Sequence, residues 1–214
     1  MGTVQGMAHE RESLERLVAT EISDSRVVNS FRRIDRADFV PAEAAAVAYH
    51  DRPIPIPHDQ VTSQPTLIAS MVAAAAISES DRVLEVGTGY GFQTAILAML
   101  AAHVVSIERH ADLAARARDN LRRTGVTGVE IVVGDGSLGF ASGAPFDAIV
   151  VSAGAPRVPE ALERQLADGG RLVIPIASGF GDDVYLFLKS EGELERARLV
   201  SPARFVPLVS GDSK

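Results

Sequence analysis

The chain of 214 residues has no cysteine and no tryptophan, and only 5% of it is aromatic. Without cysteine there is no disulfide, no thiolate nucleophile and no cysteine-ligated zinc. The five histidines, His9, His50, His58, His103 and His110, form no H-x-x-x-H pair, so no metal site is expected. Basic residues are outnumbered, 21 against 28 acidic ones, and the formal net charge of -7 argues against a general binder of nucleic-acid backbones. It leaves peptide substrates open. Long apolar runs are missing too. The alanine-rich run from Met71 to Ile77 is too short to span a bilayer, and the N-terminus has no long apolar signal segment. These absences predict a soluble, cytoplasmic monomer with neither a nucleic-acid nor a membrane partner. With 46% hydrophobic and 23% charged residues, the chain can bury one substantial core with a small appendage.

What is present centres on Glu85-Val86-Gly87-Thr88-Gly89-Tyr90-Gly91. The apolar run Arg82-Val83-Leu84 precedes it and a helical pattern follows from Phe92, so a strand, a glycine turn and a helix come in that order. Glycine lets the backbone turn tightly and approach a ligand closely. The spacing departs from the dinucleotide fingerprint, because the third glycine, Gly91, comes one place early and position 92 is Phe. Glu85 also argues against phosphate, since a helix N-terminus that binds phosphate does not favour a carboxylate beside it. A cationic ligand does favour one, and S-adenosylmethionine carries both an ammonium and a sulfonium.

Further acids stand at successive strand ends. Val104-Val105-Ser106-Ile107-Glu108 ends 21 residues after Gly87, a spacing at which a carboxylate can accept both ribose hydroxyls of an adenosine. Val129 to Val133 runs into Gly134-Asp135-Gly136, where an acid can reach an adenine amino group. Phe146 to Val151 runs into Ser152-Ala153-Gly154. Ligands of open α/β sheets sit beyond the carboxyl ends of the strands.

Periodicity predicts helices over residues 10–20 and 26–34, the second capped by Asp24 or Ser25, and a short helix over 42–48. Pro53, Pro55 and Pro57 predict an extended, rigid arm over 50–60, anchored by Ile54 and Ile56. Thr62 or Ser63 is then expected to cap a helix over 65–77 with Pro65 in its first turn. Strands at 82–86, 103–108, 129–133 and 146–151 alternate with helices at 91–101, 111–123 and 158–166, with a loop after the third strand. That rhythm predicts a parallel sheet with right-handed crossovers. Strands at 171–176, 183–189 and 194–199 follow without helices between them, predicting an antiparallel C-terminal edge. The expected organisation is an N-terminal helical and arm subregion, 1–80, packed on a core, 81–214, in one compact domain.

Several segments together resemble the protein-L-isoaspartate O-methyltransferases over nearly the whole chain. They are Phe39-Val40-Pro41, Tyr49-His50-Asp51-Arg52-Pro53-Ile54-Pro55-Ile56, Thr62-Ser63-Gln64-Pro65, the glycine motif, Val132-Val133-Gly134-Asp135-Gly136, Ala155-Pro156 with Val158-Pro159, and Arg204-Phe205-Val206-Pro207-Leu208. The glycine motif is common to all class I methyltransferases, whereas the proline arm, the Ser-Gln-Pro step and the terminal Phe-Val-Pro-Leu are far more specific. The resemblance implies the α/β class I methyltransferase fold, a Rossmann-like, mostly parallel sheet with helices on both faces. It implies transfer of the S-adenosylmethionine methyl to the free α-carboxylate of an L-isoaspartyl residue in damaged peptides or proteins. The ester would then cyclise to a succinimide unaided, and its hydrolysis would return some normal aspartate. Such a carboxylate, with pKa near ~4, is already ionised and needs no general base.

The resemblance also implies roles. Ser63 would position the substrate carboxylate; read from the residues alone it is a helix cap. Cofactor contacts would come from Thr62, Glu85, Gly87, Thr88, Gly89, Tyr90, Gln93, Glu108, Arg109, Asp135 and Gly136. Asp51, Ile54, Ile56, Val206 and Leu208 would meet the peptide; a turn or an ion pair to Arg52 for Asp51, and packing for the apolar four, are the other readings. The sequence departs from the family pattern at Tyr90-Gly91-Phe92-Gln93, where a serine and then Gly-Tyr-Gln are usual, at Gly154, where alanine is usual, and at Pro57-His58-Asp59-Gln60-Val61, which lacks the usual glycine. A carboxyl methyltransferase dedicated to one peptide, or a non-catalytic adenosyl-binding module, would carry the same motifs.

Overall fold

The structure, a computed structural model, describes residues 2–179 and 181–211. Four strands, β3 (Arg82–Val86), β4 (His103–Glu108), β5 (Val129–Val133) and β6 (Phe146–Val151), have the bounds expected from their apolar runs. They pair in parallel in the order β5-β4-β3-β6, and β6 continues in parallel to β7 (Leu166–Ser178). The sheet then turns antiparallel through β8 (Gly181–Ser190) and β9 (Glu193–Ala203), giving seven strands. Chain order reverses between β3 and β6, the kind of switch point at which such sheets bind ligands.

The sheet is covered on both faces, as alternation along its strands requires. Val83, Val104, Ala148 and Val150 face one hydrophobic cluster, while Leu84, Val86, Val105, Ile107, Ile149 and Val151 face the other. The first cluster is continuous with the N-terminal helices α1 (Gly2–Glu21), α2 (Ser25–Arg33) and α3 (Pro65–Ala74) through Leu14, Val18, Phe31, Ile68 and Met71. Phe31 meets Phe92 edge-to-face at 5.7 Å, worth about 0.5–1.5 kcal/mol beyond its burial. The remaining helices are α4 (Phe92–Ala98), α5 (Ala111–Arg123) and α6 (Glu160–Gln165). No helix among the described residues is long and apolar enough to cross a membrane.

The differences from expectation have local causes. α4 starts at Phe92 because Gly91 is left-handed, φ 91°, and cannot belong to the helix. α3 stops at Ala74, and Ala76 has φ 45°. Residues 42–47 form a tight 3-10 segment. β7 starts at Leu166, directly after α6, so the helix expected over 158–166 shrinks to 160–165. β8 and β9 stay paired out to Asp182 opposite Ala203, which lengthens both. The largest correction concerns the proline arm. It folds back as a hairpin, β1 (Ile54–Ile56) antiparallel to β2 (Gln60–Thr62), and its turn puts His58 and Asp59 at φ 64° and 55°.

Candidate active site

A cavity of about 590 Å³ opens beyond the carboxyl ends of β3, β4 and β6. That size is ordinary for a site taking a small molecule. One wall is the glycine loop and the other is the hairpin with the segment leading into α3. The end of β9 and the residues that follow it, 201–206, lie along its edge.

The loop wall begins where β3 ends. Gly87, at φ 96°, donates its N–H to the Ile107 carbonyl at 2.8 Å, and a Cβ there would lie 3.3 Å from that of Ser152. Only glycine combines that φ with so close a neighbour. Gly89 donates its N–H to Glu108 Oε2 at 2.9 Å, and His110 donates to Glu108 Oε1 at 3.0 Å. Glu108, 5% exposed, thus carries an ordered carboxylate at the end of β4 and lines the cavity. Thr88, Tyr90 and Gln93 line it as well. The Tyr90 carbonyl accepts from Asn120 Nδ2, which braces the loop against α5.

Glu85 requires a correction. Its position in β3 shares the face of Val83, and its cross-strand neighbour is Ser106. The carboxylate therefore points beneath the loop, fully buried, and does not stand on the rim facing a cation. Oε2 accepts from Thr94 Oγ1 at 2.5 Å and Ser106 Oγ at 2.6 Å, and Oε1 accepts from Gln93 Nε2 at 2.9 Å. Burial pushes its pKa up to about 7 against these hydrogen bonds, with the nearby Glu108 adding to the rise. Thr88 Oγ1 lies 2.5 Å from Ser106 Oγ, and Gln93 Nε2 also reaches Ser152 Oγ at 2.9 Å. The buried acid thus fixes loop side chains from below.

Asp135, Gly136 and Arg109 lie outside the set lining the cavity. Asp135 Oδ1 accepts from Ser137 N and Oγ, and Oδ2 from the Gly211 N–H, so the C-terminal segment is pinned here. Burial raises its pKa, but these bonds and then the Arg109 charge outweigh it and hold the group below the usual carboxylate range. Gly136 packs directly on Val86, whose Cγ1 would lie 2.3 Å from any added Cβ.

On the opposite wall, Thr62, Ser63 and Ile56 line the cavity, with Val206 at its edge. Ser63 does not cap α3. The cap position is Gln64, whose side chain makes no capping bond, and the Asp51 carboxylate reaches in to accept from Thr66 N at 2.9 Å and Thr66 Oγ1 at 2.8 Å. Asp51 also accepts from Gln64 Nε2 at 2.8 Å and lies off the cavity, so it braces the wall. Freed from capping, Ser63 Oγ has no hydrogen-bond partner among the described residues, although the side chain is half-buried at the cavity surface. Ile54 is buried with Val40 and Ala48, and Leu208 packs on the sheet's second cluster; neither lines the cavity.

Sequence reasoning passed over Ser152, Leu67, Phe92 and Phe205 in the lining, and Arg36 behind it. The Ser152 position at the end of β6 was a usable signal. Nothing local marks Arg36, which is recognised only by the distant oxygens it binds. It also passed over a clasp in which His58 Nε2 sits 2.9 Å from both Asp112 carboxylate oxygens and the His58 ring stacks on His110 at 4.1 Å.

Comparison with known proteins agrees with this geometry. The family model described as Protein-L-isoaspartate(D-aspartate) O-methyltransferase matches residues 8–213. A protein-L-isoaspartate O-methyltransferase of Methanoculleus marisnigri is 50% identical over 191 residues, covering 89% of this chain and 86% of the relative. One from Koribacter versatilis is 50% identical over 188 residues, covering 88% and 84%. A solved Plasmodium falciparum structure, described as a protein-L-isoaspartate O-methyltransferase in complex with S-adenosyl-L-homocysteine, superposes with TM-score 0.79 at 26% identity, covering 94% of this chain and 97% of that one. Another solved protein-L-isoaspartate O-methyltransferase gives TM-score 0.82 at 28% identity over 94% of this chain, which spans 66% of that longer chain. The chain belongs to the protein-L-isoaspartate(D-aspartate) O-methyltransferase family.

Proposed function

We propose that this protein methylates the free α-carboxylate of L-isoaspartyl residues in damaged proteins and peptides, with S-adenosyl-L-methionine as methyl donor and S-adenosyl-L-homocysteine as product. The observation that carries the reading is one cavity with an ordered carboxylate, Glu108, on one wall and an uncommitted hydroxyl, Ser63, on the other.

The loop wall fits an adenosyl ligand. Two backbone N–H groups aim the Glu108 carboxylate, leaving lone pairs for a pair of vicinal hydroxyls. The loop closes on Ser152 at Gly87 and comes up to Ile56 at Gly89, and Thr88, Tyr90 and Gln93 supply its polar lining. Asp135 and Gly136 at the end of β5 would meet the base, with Arg109 beside them. Bound there, the cofactor supplies a methyl on a sulfonium, which a carboxylate oxygen takes while the carbon–sulfur electron pair returns to sulfur, leaving a neutral ester and a thioether.

The chain's own part is alignment. Ser63 Oγ donates to the substrate carboxylate and holds one of its oxygens toward the loop wall, while Thr62 sets the approach of the two walls. Ile56 and Val206 flank the peptide and exclude water. Well-oriented reactants can save roughly 7–11 kcal/mol of barrier, and no side chain has to take a proton. The acidic surface and apolar-lined cavity favour a peptide over nucleic acid, and a cytoplasmic monomer serves the reaction fully.

Labelled S-adenosylmethionine offered with paired isoaspartyl and aspartyl peptides tests the reading. Label on the isoaspartyl peptide alone is expected. Label on neither, with the cofactor still bound, would overturn it in favour of a dedicated substrate or a binding module.

A further inference from the structure

The bulkiest fully buried side chain is a cation, Arg36, 2% exposed. It lies at the start of a 3-10 turn behind the hairpin wall. Nη1 donates to the carbonyls of Ala48 at 2.9 Å and His50 at 3.0 Å. Nη2 donates to the carbonyls of Arg52 at 3.1 Å and Ser63 at 3.0 Å, and to Thr62 Oγ1 at 3.3 Å. All five acceptors are neutral. Among the described residues Nε has no partner, and no carboxylate comes within ion-pair distance. Asp51 is an acid whose charge the group feels, but its own oxygens are taken by Thr66 and Gln64. Burial pulls the Arg36 pKa down to about 10, opposed by Asp51, so the guanidinium stays charged at neutral pH.

An uncompensated buried charge is costly, and a tie among carbonyls alone does not require one. Its location gives it a use. Ser63 and Thr62 separate it from the cavity, as does Phe92, whose ring centroid lies 5.9 Å from the guanidinium carbon. At 2% exposure its charge is screened less than a surface charge would be, so its field reaches the cavity. Its bonds also turn the Ser63 carbonyl inward. Because the peptide is planar and trans, the Gln64 N–H points the opposite way, away from Arg36. The wall therefore withdraws an acceptor that would repel an anion. On the facing wall the Glu108 carboxylate lines the cavity, and Glu85 lies buried beneath the loop. The cavity is polarised, negative at the loop through Glu108 and positive behind Ser63.

We infer that Arg36 is a positioning residue that makes the Thr62–Ser63 wall selective for an anionic acceptor group, acting through its charge and through the Ser63 carbonyl without touching the substrate. This rests on the proposed carboxylate-methylating function.

The test compares an isoaspartyl peptide with its analogue in which the free α-carboxylate is a carboxamide, each titrated into the full chain saturated with S-adenosylhomocysteine. The wild type is expected to prefer the anion at least tenfold, and to keep that preference in 1 M NaCl, where exposed charges are screened. Arg36→Met should reduce the preference at least fivefold, with KM rising and kcat moving less than threefold; Arg36→Lys should keep it within about threefold. An unchanged preference in Arg36→Met would overturn the inference, as would its loss in Arg36→Lys. Should the Met variant not fold, the salt titration of the wild type decides, because a preference erased by salt belongs to surface charges. Absence of isoaspartyl methylation by the wild type is a separate result and sinks the proposed function itself.

Discussion

The two walls of the cavity are built on opposite plans. The glycine-loop wall is assembled from neighbours in sequence. Gly87, Gly89 and the side chains through Gln93 follow one strand, and Glu108 closes it from the next strand in the sheet. The hairpin wall is assembled from afar: Arg36 reaches oxygens 12 to 27 residues away, and Asp51 caps a helix 15 residues on. The first wall is specified by backbone geometry, which any sequence with those glycines repeats. The second is specified by buried polar ties, which hold only when every partner is in place. In the proposed function, a cofactor common to many enzymes is served by the first plan and recognition of one unusual acceptor group by the second.

Breaking each wall in turn should give the largest effects and separate them. Glu108→Ala removes the acceptor for two backbone N–H groups and, in the proposed function, for the ribose hydroxyls. Charge-assisted hydrogen bonds are worth about 1.5–3 kcal/mol each, so S-adenosylhomocysteine affinity should fall at least ~30-fold by calorimetry. Ser63→Ala should leave that affinity within about twofold and lower kcat/KM roughly 10- to 100-fold, the same energy now lost at the acceptor. If Ser63→Ala weakened cofactor binding as much as Glu108→Ala does, the division of labour between the walls would not stand.

The same division explains how much could be read from sequence. Strands β3 to β6 came out at their observed bounds because each is a short apolar run with turn residues on both sides. Glu108 was legible because a strand end fixes where its side chain goes. Glu85 was placed on the wrong side because strand parity was not followed through: with Val83 in the first cluster, Glu85 had to share its face and lie below the loop. Pro53, Pro55 and Pro57 correctly forbade helix, but proline spacing does not reveal a reversal carried by His58 and Asp59, which take positive φ more readily than most residues but far less often than glycine. Asp51 as a cap and Arg36 as a tie depend on contacts between segments that no local pattern encodes.

The loop wall also responds to pH. The Glu85 pKa in the folded protein, about 7, stands above its ordinary 4.5. The folded state therefore holds this proton more tightly than the unfolded chain does. The associated stability is complete below about pH 4.5 and is lost as pH rises toward 7, amounting to a few kcal/mol at most. Glu85→Gln keeps a hydrogen-bonding amide but cannot ionise. Its melting temperature relative to the wild type should therefore be higher at pH 7.5 than at pH 5, by about 4 °C or more at roughly 2–4 °C per kcal/mol. A relative melting temperature that does not rise over that interval would mean that Glu85 is stabilised as an anion, with the hydrogen bonds from Thr94, Ser106 and Gln93 outweighing burial.

The smallest effect should come from the hairpin turn, where the second wall lacks the glycine that the first has in abundance. Asp59 is exposed, makes no hydrogen bond among the described residues and sits at φ 55°. Left-handed backbone costs a non-glycine residue about 1–2 kcal/mol, less for aspartate, and glycine returns part of that through its greater freedom when unfolded. Asp59→Gly should thus gain only about 0.5 kcal/mol, one or two degrees in melting temperature. His58 has a similar φ of 64° but a different balance, because its ring stacks on His110 and faces Asp112. His58→Gly forfeits that clasp, so it should lower the melting temperature. Should both glycines stabilise equally, the clasp contributes nothing and the hairpin wall is held by Arg36 and Asp51 alone; should both destabilise, the turn is held by side-chain contacts at Asp59 as well.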